Sequence, residues 1–282
     1  MEVILAETAG FCMGVGMALT KLDQLVNEPD GHLIYILGPI IHNPQVLKRY
    51  ADKGVIMVHD PADVPVGAHV VIRAHGITRQ VEAALRKRKV RIKDATCPRV
   101  KKAQLLIERN TADNGELLLY GEAEHPEVAG LVSYAQHGHF VFGSAEELAR
   151  HRLTPDRRYV LAAQTTQDRV RFESIAADLT GRDDVEVTVL ETICDATKLR
   201  QIEARELAED VDFMVVVGGY NSGNTRRLAQ VVAERGTPCK HVETAEELPL
   251  TDLARYKRIG VTAGASTPRI LIDRVLSDLK SL

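Results

Sequence analysis

Three cysteines recur along the chain in one local setting. They close Glu7-Thr8-Ala9-Gly10-Phe11-Cys12, Asp94-Ala95-Thr96-Cys97 and Glu191-Thr192-Ile193-Cys194. Thiolates are soft ligands, and three of them leave one coordination position open, a donor set that suits zinc or an iron–sulfur cluster. Each cysteine follows a short β-branched run (Val3-Ile4-Leu5, Val90-Arg91-Ile92, Val187-Thr188-Val189) and precedes a helix-like segment. A helix start favours anionic sulfur through its dipole and its unsatisfied N–H groups. The fourth cysteine, Cys239, opens a strand and is expected to be structural. The chain has no Cys-x-x-Cys pair, which argues against zinc ribbons and thioredoxin chemistry.

Polar residues gather in loops that follow apolar runs. His42 lies in Gly38-Pro39-Ile40-Ile41-His42-Asn43, His75 in Ala74-His75-Gly76, and His125 in His125-Pro126-Glu127. Thr165, Ser222, Asn224 and Ser266 occupy loops of the same kind. Such a set is rich in hydrogen-bond donors and partly cationic, which suits an anion with several oxygens, such as a diphosphate. Glu127 directly follows His125-Pro126. It is either a carboxyl placed to deliver protons or an acidic residue in the first turn of a helix, after proline. The chain contains no Walker loop and no Gly-x-Gly-x-x-Gly fingerprint, so a nucleotide cofactor is not indicated.

The elements that must position these residues repeat three times. Each repeat holds a cysteine segment and an apolar strand ending at glycine (Gly38, Gly121, Gly218). A strand with a capped turn follows, at Asp60, Ser144 and Thr244, the last two with Glu three residues on as in a capping box. A strand ending in alanine and a polar loop closes the repeat (Ala74, Ala163, Ala263). Strands alternating with helices imply parallel sheets, which bind ligands at their strands' carboxyl ends. The expected fold class is α/β, in three pseudo-threefold-related modules: 13–96, 97–193 and 194–282, with the N-terminal strand 1–12 packing at the centre. Three cysteines, one per module, would then converge.

Composition sets the remaining bounds. The 282 residues carry a formal charge of −3, and 45% are apolar with no Trp, so the core must be aliphatic. Lys and Arg are spread without a polybasic stripe, which argues against nucleic acid. The densest run, Arg86-Lys87-Arg88-Lys89, reads as a solvated helix end. No apolar run is long enough to span a membrane, and the N-terminus opens on a strand rather than a signal peptide. The expected location is cytoplasmic, where disulfides are rare.

Taken together, Gly10-Phe11-Cys12-Met13-Gly14-Val15, His42-Asn43, Arg73-Ala74-His75-Gly76, Ala95-Thr96-Cys97-Pro98, His125-Pro126-Glu127-Val128, Gln164-Thr165-Thr166, Cys194-Asp195-Ala196-Thr197, Asn221-Ser222-Gly223-Asn224-Thr225 and Gly264-Ala265-Ser266-Thr267-Pro268 resemble the 4-hydroxy-3-methylbut-2-enyl diphosphate reductase family over nearly the whole chain. The resemblance implies a trefoil of three modules around a central [4Fe-4S] cluster. Cys12, Cys97 and Cys194 would be its ligands, and the fourth iron would be open to substrate. His42, His75, His125, Ser222, Asn224 and Ser266 would bind the diphosphate, with Glu127 as proton source and Thr165 orienting the substrate hydroxyl and Glu127. Gly223 departs from the family's pattern by lacking a hydroxyl; its backbone N–H could still serve. The implied reaction is reductive dehydroxylation to isopentenyl and dimethylallyl diphosphate, the last step of the methylerythritol phosphate route, with ferredoxin or flavodoxin as electron donor. Quinolinate synthase shares the three-module plan, and a non-catalytic iron–sulfur redox sensor would share the cysteines. The His42, Glu127 and Asn224 loops favour the reductase.

Overall fold

The computed structural model describes residues 1–28, 31–155 and 157–282. The chain runs β1 (Glu2–Leu5), α1 (Met13–Val26), β2 (Ile34–Leu37), α2 (Pro44–Ala51), β3 (Ile56–Val58), β4 (His69–Ile72), α3 (Arg79–Lys87), β5 (Arg91–Asp94) and α4 (Pro98–Thr111). It continues through β6 (Glu116–Tyr120), α5 (Pro126–Val132), β7 (His139–Phe142), α6 (Ala145–Arg150), β8 (Arg158–Ala163), α7 (Arg169–Thr180) and β9 (Glu186–Val189). The last stretch is α8 (Asp195–Asp210), β10 (Phe213–Val217), α9 (Gly223–Ala233), β11 (Cys239–Val242), α10 (Leu250–Leu253), β12 (Arg258–Ala263) and α11 (Arg269–Lys280). Single 3-10 turns lie at Pro61–Asp63 and Ala245–Glu247.

The fold is α/β, with three four-stranded sheets of one strand order: β3-β2-β4-β5, β7-β6-β8-β9 and β11-β10-β12-β1. Every strand pair is parallel. In the third sheet the fourth position is taken by β1, from the other end of the chain, with Glu2 to Leu5 in register with Arg258 to Val261. β1 is therefore an edge strand of that sheet.

The chain packs as two compact units. One comprises Met1–Gly16, Ile41–Arg49 and Asp195–Leu282 and holds the third sheet; the other comprises Met17–Ile40 and Tyr50–Cys194 and holds the first two. Within the first unit the strand alternation sorts the core. Val215 and Val217 face a cluster with Leu253, Ile272 and Val275, while Met214 and Val216 face another with Ala204, Leu228 and Val232. Side chains alternate across a strand, so continuous apolar runs mark sheets covered on both faces. In the second unit, Leu118 and Tyr120 pack with Phe172 and Ile175, whereas Leu117 and Leu119 pack with Ala103, Ile107 and Leu131. Among the described residues no helix is long and apolar enough to cross a membrane.

The capping expectations divide. The Ser144 hydroxyl accepts the Glu147 N–H at 3.2 Å, and the Glu147 carboxylate takes the Gly143 N–H rather than that of Ser144. Thr244 makes no side-chain cap. Its turn is 3-10, so the Glu247 N–H already bonds to the Thr244 carbonyl at 3.3 Å.

Candidate functional site

Each of the three cysteines sits immediately before a long helix: Cys12 before α1, Cys97 as the N-cap of α4, Cys194 before α8. All four cysteines are thiols, none fully buried. The repeat extends to the bond that holds each of the three. The Cys12 N–H donates to Ala265 O (3.2 Å), that of Cys97 to Ala74 O (2.9 Å) and that of Cys194 to Thr165 O (3.0 Å). Each acceptor lies two residues beyond a strand of equivalent rank, β12, β4 or β8. The Cys12 sulfur also accepts the Val15 N–H at 3.5 Å. Partly accessible sulfurs held at helix starts fit a thiolate-ligated metal centre. Cys239 differs: it opens β11, its thiol faces Ala229 O at 3.8 Å, and burial pushes its pKa up.

The loops before the cysteines are braced by unlike means. Asp94 Oδ1 accepts the Thr96 N–H at 2.9 Å. Thr192 Oγ1 accepts the Ala163 N–H and donates to Ala163 O, at 2.8 and 2.7 Å. The Cys12 loop is held from α8. Arg200, 4% exposed, donates from Nη2 to Thr8 O (2.5 Å) and Gly10 O (2.8 Å). Glu203 accepts the N–H groups of Glu7 (2.5 Å) and Thr8 (2.9 Å) and the Thr8 hydroxyl.

In the unit of the first two sheets, Glu127 is 1% exposed. It stands in the first turn of α5, yet its carboxylate serves a different loop: Oε1 accepts the Thr165 N–H at 2.7 Å. Burial raises its pKa, opposed in part by the hydrogen bonds from Thr165. Thr165 thus joins two chemical groups through its own backbone, its N–H on Glu127 and its carbonyl on Cys194. His125 caps α5, its Nδ1 accepting the Glu127 N–H at 3.1 Å. In a neutral ring that bond assigns the proton to Nε2, leaving it a donor. His75 meets His125 edge to face, ring centroids 5.3 Å apart. Gln164, which the sequence offers only as a member of the Gln164-Thr165-Thr166 motif, is buried, with Oε1 on the Glu122 N–H and Nε2 on Thr166 Oγ1.

In the unit of the third sheet, Ser222 caps α9 by accepting the Thr225 N–H at 3.3 Å. Ser266 Oγ lies 3.2 Å from His42 O and 3.5 Å from Ser222 Oγ. Asn224 is 7% exposed, and its Nδ2 has no protein partner. A buried amide donor without a partner is rare and fits a group that a ligand completes. Asn43 shares this property: Oδ1 accepts the Val46 N–H at 3.0 Å while buried Nδ2 has no partner. Glycine is required where these loops close on Thr225: a Cβ on Gly264 would lie 2.0 Å from Thr225 Oγ1, and Gly218 has φ +146°.

The chain matches the family model described as LytB protein over residues 3–280. It is 55% identical over 290 residues to a protein of Nitratidesulfovibrio vulgaris (strain DP4) named 4-hydroxy-3-methylbut-2-enyl diphosphate reductase, with both chains fully covered. A protein of that name from Geobacter sulfurreducens is 44% identical, covering 99% of this chain and 97% of its own. Among solved structures, the E-1-hydroxy-2-methyl-but-2-enyl-4-diphosphate reductase of Plasmodium falciparum superposes with a TM-score of 0.92 at 27% identity, covering 98% of this chain and 87% of that one. A second, described as the terminal enzyme of the non-mevalonate pathway, is 38% identical over the whole of both chains, with a TM-score of 0.69. The repeated cysteine setting, the Glu127–Thr165 pair and full-length identity to reductases agree, and the chain belongs to the LytB family of iron–sulfur enzymes.

Proposed function

We propose that this protein reduces (E)-4-hydroxy-3-methylbut-2-enyl diphosphate to isopentenyl and dimethylallyl diphosphate, the last step of the non-mevalonate route to isoprenoids. The allylic C–O bond breaks, a C–H bond forms and the oxygen leaves as water, at the cost of two electrons and two protons. Cys12, from the N-terminal segment 1–12, Cys97, from module 97–193, and Cys194, from module 194–282, would hold a [4Fe-4S] cluster. When bound, such a cluster supplies single electrons and an open iron acting as Lewis acid toward the substrate hydroxyl.

The chain's own residues supply the remainder. His42, His75, His125, Ser222, Asn224 and Ser266 bind the diphosphate, the neutral His125 donating from Nε2 and Asn224 from Nδ2. Anchoring that end fixes the alcohol end, which converts binding energy into orientation. Thr165 orients Glu127 and the substrate hydroxyl, and Glu127 delivers protons. The observation that carries this reading is the buried Glu127 carboxyl, tied by Thr165 to the loop of Cys194. Burial raises its pKa, so it holds a proton at a higher pH than an ordinary carboxyl. An acid catalyst needs that form. The electron donor is ferredoxin or flavodoxin, and the setting cytoplasmic.

Anaerobic turnover of the hydroxylated diphosphate with dithionite-reduced viologen tests the assignment. The expected result is both products and one water per two electrons. A cluster-loaded protein that binds the diphosphate and forms no product would overturn it.

A further inference from the structure

Beside Cys97 the surface carries a groove of about 600 Å³, remote in character from the diphosphate-binding loops. Thr96 and Pro98, the two residues that flank Cys97, line it. Its ionisable residues are Lys21, Lys101, Lys102 and Arg109 against Asp94 alone. A chain of formal charge −3 thus concentrates cations here. The single acid is engaged: Lys101 Nζ lies 3.7 Å from its carboxylate, and Lys21 Nζ donates to its carbonyl at 2.7 Å. Between the cations the floor is apolar. Leu105 is 56% exposed and lies on one face of α4 with Lys102 and Arg109, spaced as i, i+3 and i+7.

We propose that this groove is the docking surface for an acidic one-electron carrier protein, which delivers electrons past Cys97. The proposal rests on the reading above that Cys97 is a cluster ligand. Electron carriers must bind, transfer and leave quickly, so their encounters use small interfaces. Charge complementarity raises the on-rate and sets orientation, while a small apolar contact at the centre gives the complex its register. Four cations and an exposed leucine lining one groove have that composition. A diphosphate alone would make no use of Leu105, whereas a carrier with an acidic rim would cover it.

The test uses the cluster-loaded, full-length protein under anaerobic conditions, with an acidic [2Fe-2S] ferredoxin as probe. Lys102→Glu and Arg109→Glu reverse two exposed charges that take no part in holding Cys97. In the double variant, calorimetric titration with oxidised ferredoxin should show the dissociation constant rising at least tenfold. The ferredoxin KM should rise in parallel, and the slope of affinity against salt should flatten. Viologen-driven turnover should not change. Lys102→Ala with Arg109→Ala should move affinity in the same direction by less. An unchanged ferredoxin affinity in the reversal variant would overturn the proposal. So would pyrophosphate binding that the variant abolishes while ferredoxin binding stays intact. If the wild type fails with viologen yet shows the charge-sensitive ferredoxin affinity, the reductase reading falls and the docking surface stands.

Discussion

At the scale of single residues, Glu127 is where environment and role meet. Its carboxyl is buried and pairs with a backbone N–H rather than a cation. The dominant cause of its shift is desolvation, which favours the neutral acid. Glu127→Gln keeps size and burial but removes the transferable proton. Viologen-driven turnover should fall by roughly 100-fold or more, the usual range for losing a general acid. Diphosphate affinity should stay within about tenfold, equivalent to about 1.4 kcal/mol. A large affinity loss with intact turnover would make Glu127 a binding residue. The same shift has a stability consequence. The folded pKa is raised, so its contribution is fully present below the ordinary carboxyl pKa and is lost as pH rises through the raised one. The urea stability of the wild-type apoprotein relative to Glu127→Gln should therefore fall as pH rises above about 4.5. Cys239, with its thiol pushed up by burial on β11, is the contrasting sulfur. Cys239→Ser should keep the cluster's visible absorbance and iron content unchanged; loss of either would add it to the ligand set.

At the scale of elements, the helix that leaves each cysteine braces a segment that leads to a cysteine. The ninth residue after each cysteine supports the loop of the next: Lys21 after Cys12, Leu106 after Cys97 and Glu203 after Cys194. Lys21 donates to Asp94 O, Leu106 packs in one cluster with Leu190, and Glu203 takes the N–H groups of Glu7 and Thr8. The α8 brace is the strongest of the three, because Arg200 adds two charge-assisted bonds, a part-buried one to the Thr8 carbonyl and a buried one to that of Gly10. Arg200→Ala would leave those carbonyls without their donor and should cost about 3 kcal/mol. Lys21→Ala, nearer the surface, should cost no more than about 1 kcal/mol. Denaturant unfolding of the apoproteins gives both numbers. Arg200→Ala should also lower iron per chain after reconstitution, and Lys21→Ala should not. Equal costs for the two variants would remove the distinction.

At the scale of the molecule, the third sheet depends on both ends of the chain. β1 pairs with β12 across four residues, and Val3 and Leu5 pack on the cluster of Val215, Ile259 and Ile272. A parallel sheet cannot close such a pair locally, so the strand must return from the far terminus. Cys12 lies seven residues beyond that strand, and the Cys12 N–H bonds to Ala265 O, two residues beyond β12, the strand that β1 pairs with. Deleting residues 1–6 should therefore remove on the order of 4 kcal/mol, at about 1 kcal/mol per lost ladder bond. Urea midpoints measure this. A midpoint unchanged from the full chain would show β1 to be dispensable to its sheet.

Much of this was legible in the sequence because it is local or periodic. The three cysteine segments, the strand–glycine punctuation and the alanine-ended strands name three repeats, and the shared strand order follows from them. The helix after each cysteine and the cap at Ser144 are likewise written in adjacent residues. What tertiary structure alone decided lies between distant segments. Arg200 and Glu203 read in sequence as an ordinary charged helix face, and only packing brings them to a loop about 190 residues away. Asn43 stands in the sequence only as the neighbour of His42, and burial is what leaves its amide Nδ2 without a partner. Sequence left Glu127 open between a helix-end acid and a proton donor; its carboxylate crosses to Thr165 because α5 and the loop after β8 pack together. Sequence determines which groups each segment carries and how they repeat. Burial and long-range hydrogen bonds determine their ionisation and aim, since both depend on neighbours that chain order does not specify.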